Sequence, residues 1–232
     1  MTAGRRDVGV VIVAAGTSSR VGGEELKQFR FVAGKPMLLH GIQAFMARDD
    51  VAVVVCVLPR AQLGDPPPWI FQCDTDRLLL SNGGRERGES VANGLAEVPA
   101  DVEVVLVHDA ARPLVDAATI DRVVAEARRG HGAVAALPIT DTIKEVDDEG
   151  RVIRTIDRHG LWRAQTPQGF PREMLERAYA AAREAGVAAT DCAALCERLN
   201  LPVVVVRGSE RAMKVTEEGD FARLEAIARL RE

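Results

Sequence analysis

Apolar, β-branched runs recur along the chain, separated by stretches of helical periodicity. Val8 to Val13 reads VGVVIV, Val51 to Leu58 reads VAVVVCVL and Val102 to Val107 reads VEVVLV. Ala133 to Leu137 and Val203 to Val206 are further strand candidates, with a shorter one at Leu78 to Leu80. Three of these runs are apolar nearly throughout, as expected of strands covered on both faces of a sheet. Between them the pattern predicts helices from Pro36 to about Arg48, Ser90 to Val98 and Ala117 to Arg129, the last capped by Asp116. Others start at Pro171, ending before Gly186, and at Thr190 or Asp191, and the last runs from Glu217 to Leu230. Strand–helix alternation with right-handed crossovers predicts an α/β fold: a mostly parallel wound sheet with helices on both faces.

One segment departs from that rhythm. Ile139 to Arg158 alternates apolar and polar residues on either side of Asp147-Asp148-Glu149-Gly150, with Ile143 and Val146 before the turn and Val152 and Ile156 after it. This is the signature of a β-hairpin with a glycine turn. An exposed two-stranded arm is marginal alone, so it is expected to pack on a second subunit. The chain's 232 residues fit a single α/β domain over 1–232, with 139–158 as its arm.

Composition narrows the function. Hydrophobic residues are 47% and charged residues 28%, the balance of a globular chain rather than a fibre or a disordered polymer. Aromatics are only 4%, so the core must be built from Ala, Val, Leu and Ile. Lys plus Arg number 30 against 34 Asp plus Glu, a net charge of −4 that gives no global field for nucleic acid. Any bound anion must therefore meet a local basic cluster. No run approaches the roughly 18 apolar residues of a membrane span. Arg5 and Arg6 precede an apolar run that leads into Thr17, Ser18, Ser19 and Arg20 without a cleavage site, so a buried strand is expected there rather than a signal peptide. Cys56, Cys73, Cys192 and Cys196 show no CxxC spacing and are read as free thiols in a reducing cytoplasm.

Candidate chemistry gathers where strands end. Ala14-Ala15-Gly16-Thr17-Ser18-Ser19-Arg20, with Lys27 beyond, follows the first strand. Small residues let backbone amides approach a phosphate, and Arg20 and Lys27 would add full charges. A tight strand–helix turn with two solvated cations explains the same residues. GxxxxGK[ST] and GxGxxG are both absent, which weighs against an NTPase P-loop and a dinucleotide site. Val107-His108-Asp109-Ala110-Ala111-Arg112-Pro113 ends another strand. Asp109 could hold Mg²⁺ between phosphates, or simply cap the next turn, and His108 reads as a packed strand-end histidine. Gly83-Gly84 and Ser90 could read a base edge, or form a turn and a cap. Arg158, Thr166, Thr190 and Lys214 suit a phosphorylated polyol, though singly each is unremarkable for a surface. No zinc tetrahedron, HExxH or GxSxG is present.

These blocks occur together in a known order: AAGTSSR with Lys27, GGRERGES, VHDAARP, Asp141-Thr142, DRHGLW, QTPQGF, Thr190-Asp191 and MKVT. The chain resembles the 2-C-methyl-D-erythritol 4-phosphate cytidylyltransferase family of the non-mevalonate isoprenoid route, from about Val8 to the last helix. The resemblance implies a Rossmann-like nucleotidyltransferase fold, a homodimer joined through the arm, and Mg²⁺-dependent transfer of CMP from CTP. Position by position, it implies that Ala14, Ala15 and Gly16 line the CTP while Arg20 and Lys27 hold its phosphates as the catalytic charges. Gly83, Gly84 and Ser90 would read cytosine, Asp109 would contact the metal, and Ala110 the ribose. Arg112, Thr166, Thr190 and Lys214 would surround the acceptor, with Thr142 and Arg158 reaching it from the neighbouring subunit. The chain departs from the family's common pattern at Val13, Ser18, Leu26 and Arg85. The alternative acceptor is another polyol phosphate, such as ribitol 5-phosphate.

Overall fold

The computed structural model describes residues 5–16, 26–188 and 190–230. The first apolar run forms β1 (Val8–Val13). A 3-10 turn at Lys27–Phe29 leads to the short pair β2 (Phe31–Val32) and β3 (Lys35–Pro36), then to α1 (Met37–Met46). β4 (Val51–Leu58), β5 (Leu78–Asn82), α2 (Arg87–Ala96), β6 (Val104–Asp109), α3 (Ala117–Arg128) and β7 (Gly132–Pro138) follow. Next come β8 (Ile143–Val146), β9 (Val152–Ile156), β10 (Trp162–Pro171) and α4 (Arg172–Glu184). The chain ends with α5 (Cys192–Arg198), β11 (Val203–Arg207) and α6 (Gly219–Arg229).

The main sheet has seven strands in the order β11-β7-β10-β6-β1-β4-β5. β1 lies between β4 and β6, parallel to both, with Val11 beside Val55 and Val107. β5 continues parallel to β4, and β11 parallel to β7. The expected parallel, wound architecture is present, with one strand the apolar pattern did not mark. β10 runs antiparallel to both β6 and β7. Its QTPQGF stretch contains Pro167 and Gly169, which weaken a strand signal because proline donates no ladder hydrogen bond and glycine has no side chain to pack. The ladder with β7 shifts register between Ala164 and Gln168, where Pro167 sits.

Period-2 alternation within all-apolar strands builds two cores. Val8, Val10 and Ile12 point to the face covered by α1 and α3, where Ile42, Phe45, Ile120 and Val123 are fully buried. Val11, Val55 and Val57 point to the opposite face, covered by α2, α4 and α5. Asp116 caps α3 by accepting from the Thr119 amide at 2.7 Å, and Asp191 caps α5 by accepting from that of Ala194 at 2.9 Å. A Cβ on Gly94 would stand 2.5 Å from Val11 Cγ1 and 2.7 Å from Val57 Cγ2. Glycine there lets α2 lie directly on β1 and β4. α2 starts three residues earlier than its apolar pattern predicts, so Arg87 stands in its first turn.

β8 and β9 form a separate two-stranded sheet, with Ile143 opposite Ile156 and Val146 opposite Val152. The Asp147 carboxylate accepts from the amides of Glu149 at 3.1 Å and Arg151 at 2.8 Å, and Gly150 takes φ +80° to close the turn. Val146, Val152 and Ile153 are 51%, 60% and 60% exposed, so the arm carries an unpaired apolar surface. All four cysteines are free. Among the described residues no helix is long and apolar enough to cross a membrane.

Candidate functional site

The carboxyl ends of β1, β5 and β6 open into a cleft of about 480 Å³, where open α/β sheets collect ligands. Ala14, Ala15 and Gly16 form one wall. The buried Gln28 side chain donates to the Ala14 carbonyl at 2.6 Å and to that of Gly16 at 3.4 Å, tying this loop down. Arg20, assigned to the same loop, lies outside the described residues. Among the described residues, four cations, Lys27, Arg85, Arg87 and Lys214, face two acids, Glu86 and Asp109, around this cleft. A larger cavity of about 650 Å³ between α2 and α4 has more acids than cations on its walls, with Glu86, Glu89, Glu176 and Asp191 against three arginines. A polyanion therefore suits the smaller cleft.

Asp109 stands at the centre. β6 carries it to the end of the sheet, 9% exposed. Arg87 Nε and Nη2 donate to its Oδ1 at 3.1 and 3.0 Å, and Lys214 Nζ donates to its Oδ2 at 2.7 Å. Burial alone would raise the carboxyl pKa. The charges of Arg87 and Lys214, with their hydrogen bonds, outweigh it and hold Asp109 well below the usual carboxylate range. Burial likewise opposes the Arg87 charge, but Asp109 overrides it and pushes the guanidinium above the ordinary arginine value.

The C-terminal segment brings Lys214 into this group. Asp220 accepts from the Thr216 amide at 2.7 Å, the Thr216 hydroxyl at 2.9 Å and the Glu217 amide at 3.1 Å, fixing the loop before α6. Lys27 Nζ donates to the Val215 carbonyl at 2.9 Å. Lys27 near the start of the chain and Lys214 near its end are thus held by one loop.

The loop from β5 to α2 turns its amides inward. Gly83 N donates to the Leu58 carbonyl at 2.8 Å, Gly84 N to Ser90 Oγ at 3.0 Å, and Arg85 N to Glu89 Oε2 at 2.7 Å. The Ser90 hydroxyl spends its only hydrogen on the Glu86 carbonyl at 3.1 Å. Ser90 can then offer the cleft a lone pair and no proton. A Cβ on Gly83 would overlap that of Ala15, so Gly83 serves by letting two loops touch and does not itself line the cleft.

Ala110 lines the cleft, and its amide donates to the Val13 carbonyl at 3.1 Å. Arg112 is anchored through Nη1 to the Ala212 carbonyl at 2.8 Å and through Nη2 to that of Ala164 at 3.3 Å. Burial draws its pKa down from the ordinary arginine value. Thr166 is 4% exposed, with its Oγ1 accepting from the Asp109 amide at 3.0 Å. Thr190 is exposed ahead of α5, and Thr142 and Arg158 are exposed on the arm. Neither these three nor Arg112 and Thr166 line the cleft of their own chain. Arg87, Gln28 and Thr216 line it without having been marked in the sequence. Arg87 had one legible signal: it sits three residues before Ser90, hence on the same helix face.

Among the described residues no three or more His, Cys, Asp or Glu side chains cluster as a metal site. Among the described residues, Asp109 and Glu86 are the carboxylates that line the cleft.

The family model described as "IspD: 2-C-methyl-D-erythritol 4-phosphate cytidylyltransferase" matches residues 8–230. The chain is 40% identical over 223 residues to the 2-C-methyl-D-erythritol 4-phosphate cytidylyltransferase of Desulforamulus reducens, covering 95% of each protein. It is 41% identical over 221 residues to that of Frankia casuarinae, covering 95% of this chain and 80% of the other. The crystal structure of 2-C-methyl-D-erythritol 4-phosphate cytidylyltransferase from Thermus thermophilus superposes with a TM-score of 0.82 at 35% identity, covering 97% of this chain and 100% of that one.

His108 beside Asp109 makes a stability prediction. It is fully buried, and burial lowers its pKa from the ordinary 6.5 to about 4. Between those values the unfolded chain binds a proton that the folded chain refuses. Stability should fall as pH drops from 6.5 towards 4 and level off below, by up to about 1.4 kcal/mol per pH unit from this group. Asp109, ordinarily titrating at 3.8 and lower when folded, contributes its own loss only below this window. Urea unfolding at stepped pH should show a steeper decline in the wild type than in His108→Gln; equal slopes would contradict the assignment.

Proposed function

The chain belongs to the 2-C-methyl-D-erythritol 4-phosphate cytidylyltransferase family, and we propose that it transfers CMP from CTP to 2-C-methyl-D-erythritol 4-phosphate in the cleft around Asp109. The products are 4-diphosphocytidyl-2-C-methyl-D-erythritol and pyrophosphate, a step towards isoprenoid precursors. The observation that carries the site assignment is the convergence of Lys27, Arg87 and Lys214 on the carboxyl end of a wound sheet, beside small-residue loops.

A phosphate oxygen of the acceptor attacks the α-phosphorus of CTP in line, and the bond to pyrophosphate breaks. The attacking phosphate is already anionic near neutral pH, so no strong general base is needed. The obstacle is bringing one polyanion to another, and positioning with charge neutralisation removes it. Lys27 and Arg20 take the triphosphate, and Lys214 and Arg112 the acceptor's phosphate. Asp109 holds Arg87 and Lys214 in place, so their charges are fixed before either substrate arrives.

Cytosine is read by acceptors. With the amides of 83–85 turned inward and the Ser90 proton committed, the loop answers a base that donates, as the exocyclic amine of cytosine does. Uracil presents a carbonyl there and leaves these acceptors unpaired. Mg²⁺ suits the cleft as a companion of the triphosphate, because this ion keeps waters and binds through one or two carboxylates plus substrate phosphates. Asp109 is the residue that would hold it, sharing oxygens already bonded by Arg87 and Lys214. Bound there, the ion would offset charge that builds on the departing pyrophosphate.

The exposed apolar surface of β8 and β9 supports a homodimer joined through the arm. Thr142 and Arg158, which do not line their own cleft, would then complete the acceptor pocket of the partner.

Pyrophosphate release should be seen with CTP and methylerythritol phosphate, should fall about 100-fold or more when UTP replaces CTP, and should be far slower with ribitol 5-phosphate. Equal turnover of ribitol 5-phosphate would reassign the acceptor, and equal turnover of UTP would refute the reading of the base. Lys27→Ala should lower kcat by on the order of 100-fold or more with the fold intact. Mixing it with an Arg158→Ala chain should restore part of the activity, since one hybrid site is then whole. Verified heterodimers that stay inactive would mean each site is built from one chain.

A further inference from the structure

His108 links the two halves of the site through a chain of hydrogen bonds whose direction is fixed. Its Nε2 lies 3.0 Å from the Arg112 carbonyl oxygen, and its Nδ1 lies 3.1 Å from Thr166 Oγ1. Thr166 Oγ1 in turn lies 3.0 Å from the Asp109 amide. A carbonyl oxygen only accepts, so Nε2 must carry a hydrogen. The ring is fully buried, with Phe45 edge-on at a centroid distance of 5.1 Å, and both its nitrogens meet uncharged oxygen atoms. A ring in that setting stays neutral and carries one hydrogen, which leaves Nδ1 bare. The bare Nδ1 can only accept, and among the described residues the group that faces it is the Thr166 hydroxyl. That hydroxyl therefore donates its single proton inward, while one of its lone pairs takes the Asp109 amide. One lone pair remains, and no hydrogen.

We propose that His108 is a positioning residue that locks the Thr166 hydroxyl as a hydrogen-bond acceptor, so that Thr166 receives a hydroxyl of the acceptor substrate and does not donate to its phosphate. This rests on the acceptor-binding role that the family resemblance implies for Thr166, which adjoins the cleft through its bond from the Asp109 amide. The phosphate must then be met by the cations Lys214 and Arg112, and Thr166 reads the polyol. The same bonds hold the Asp109 amide against β10 and the Arg112 carbonyl against β6, so the nucleotide half and the acceptor half share one rigid connection. A threonine free to rotate would donate to a phosphate oxygen as readily as it accepts from a hydroxyl, and would not distinguish the two ends of the acceptor.

Nitrogen-15 NMR of the full-length protein labelled at its histidines tests the lock directly. The His108 signals, identified by their loss in His108→Gln, should show hydrogen on Nε2 and a bare Nδ1. Hydrogen on Nδ1, or on both nitrogens, overturns the proposal. Kinetics provide a second reading. Thr166→Val should raise KM for methylerythritol phosphate roughly tenfold with KM for CTP little changed, and Thr166→Ser, which keeps the hydroxyl, should recover most of that loss. His108→Gln should raise the same KM, and combining it with Thr166→Val should add nothing, since the ring acts through that hydroxyl. Additive losses, or an unchanged acceptor KM in Thr166→Val, overturn it. The tautomer is read without substrate. A protein that releases no pyrophosphate with any acceptor would defeat the proposed function while leaving the His108 result intact.

Discussion

A single buried carboxylate organises this cleft. Asp109 is withdrawn from water at the end of the central strand β6, and it stays ionised because Arg87 and Lys214 are bonded to its two oxygens. Removing a charge from water is costly unless partners replace the lost hydration. The two cations satisfy that demand, and Asp109 in return keeps two long, flexible side chains from wandering. A site meant to receive two polyanions needs positive charge that is already in place, and mutually repelling cations do not assemble alone.

The fold supplies these partners from distant parts of the chain. β6 delivers Asp109, the first turn of α2 delivers Arg87, and the loop before α6 delivers Lys214. α2 can bring Arg87 close because glycine at 94 lets the helix rest on β1 and β4. The final loop returns to the cleft because Asp220 fixes its backbone and Val215, Phe221 and Leu224 bury themselves against Val32 and Met37. Lys27 donates to that same loop. Apolar packing some distance from the chemistry thus sets where the charges stand.

Much of this was legible in the sequence. The apolar runs marked β1, β4, β6, β7 and β11 to within two residues, because strands covered on both faces leave an unbroken hydrophobic record. The hairpin pairing followed from alternation around Asp147 to Gly150. β10 was not legible as a strand, since Pro167 and Gly169 interrupt its pattern and its antiparallel pairing compensates only in three dimensions. Asp109, Lys27 and Lys214 stood out as charges at strand ends or in motifs. Arg87 did not, because its importance comes from a contact 22 positions away in sequence. The direction of the Ser90 and Thr166 hydroxyls could not be read either, as it depends on which neighbouring atoms can only accept.

Arg87 and Asp109 act as one unit in this cleft. A double-mutant cycle on kcat/KM for CTP, using Arg87→Ala, Asp109→Asn and the combined variant, measures that directly. If the carboxylate serves by holding the guanidinium, each single change should be severe and the double variant little worse than the worse single one. Losses that multiply, as for two independent residues, would contradict the account.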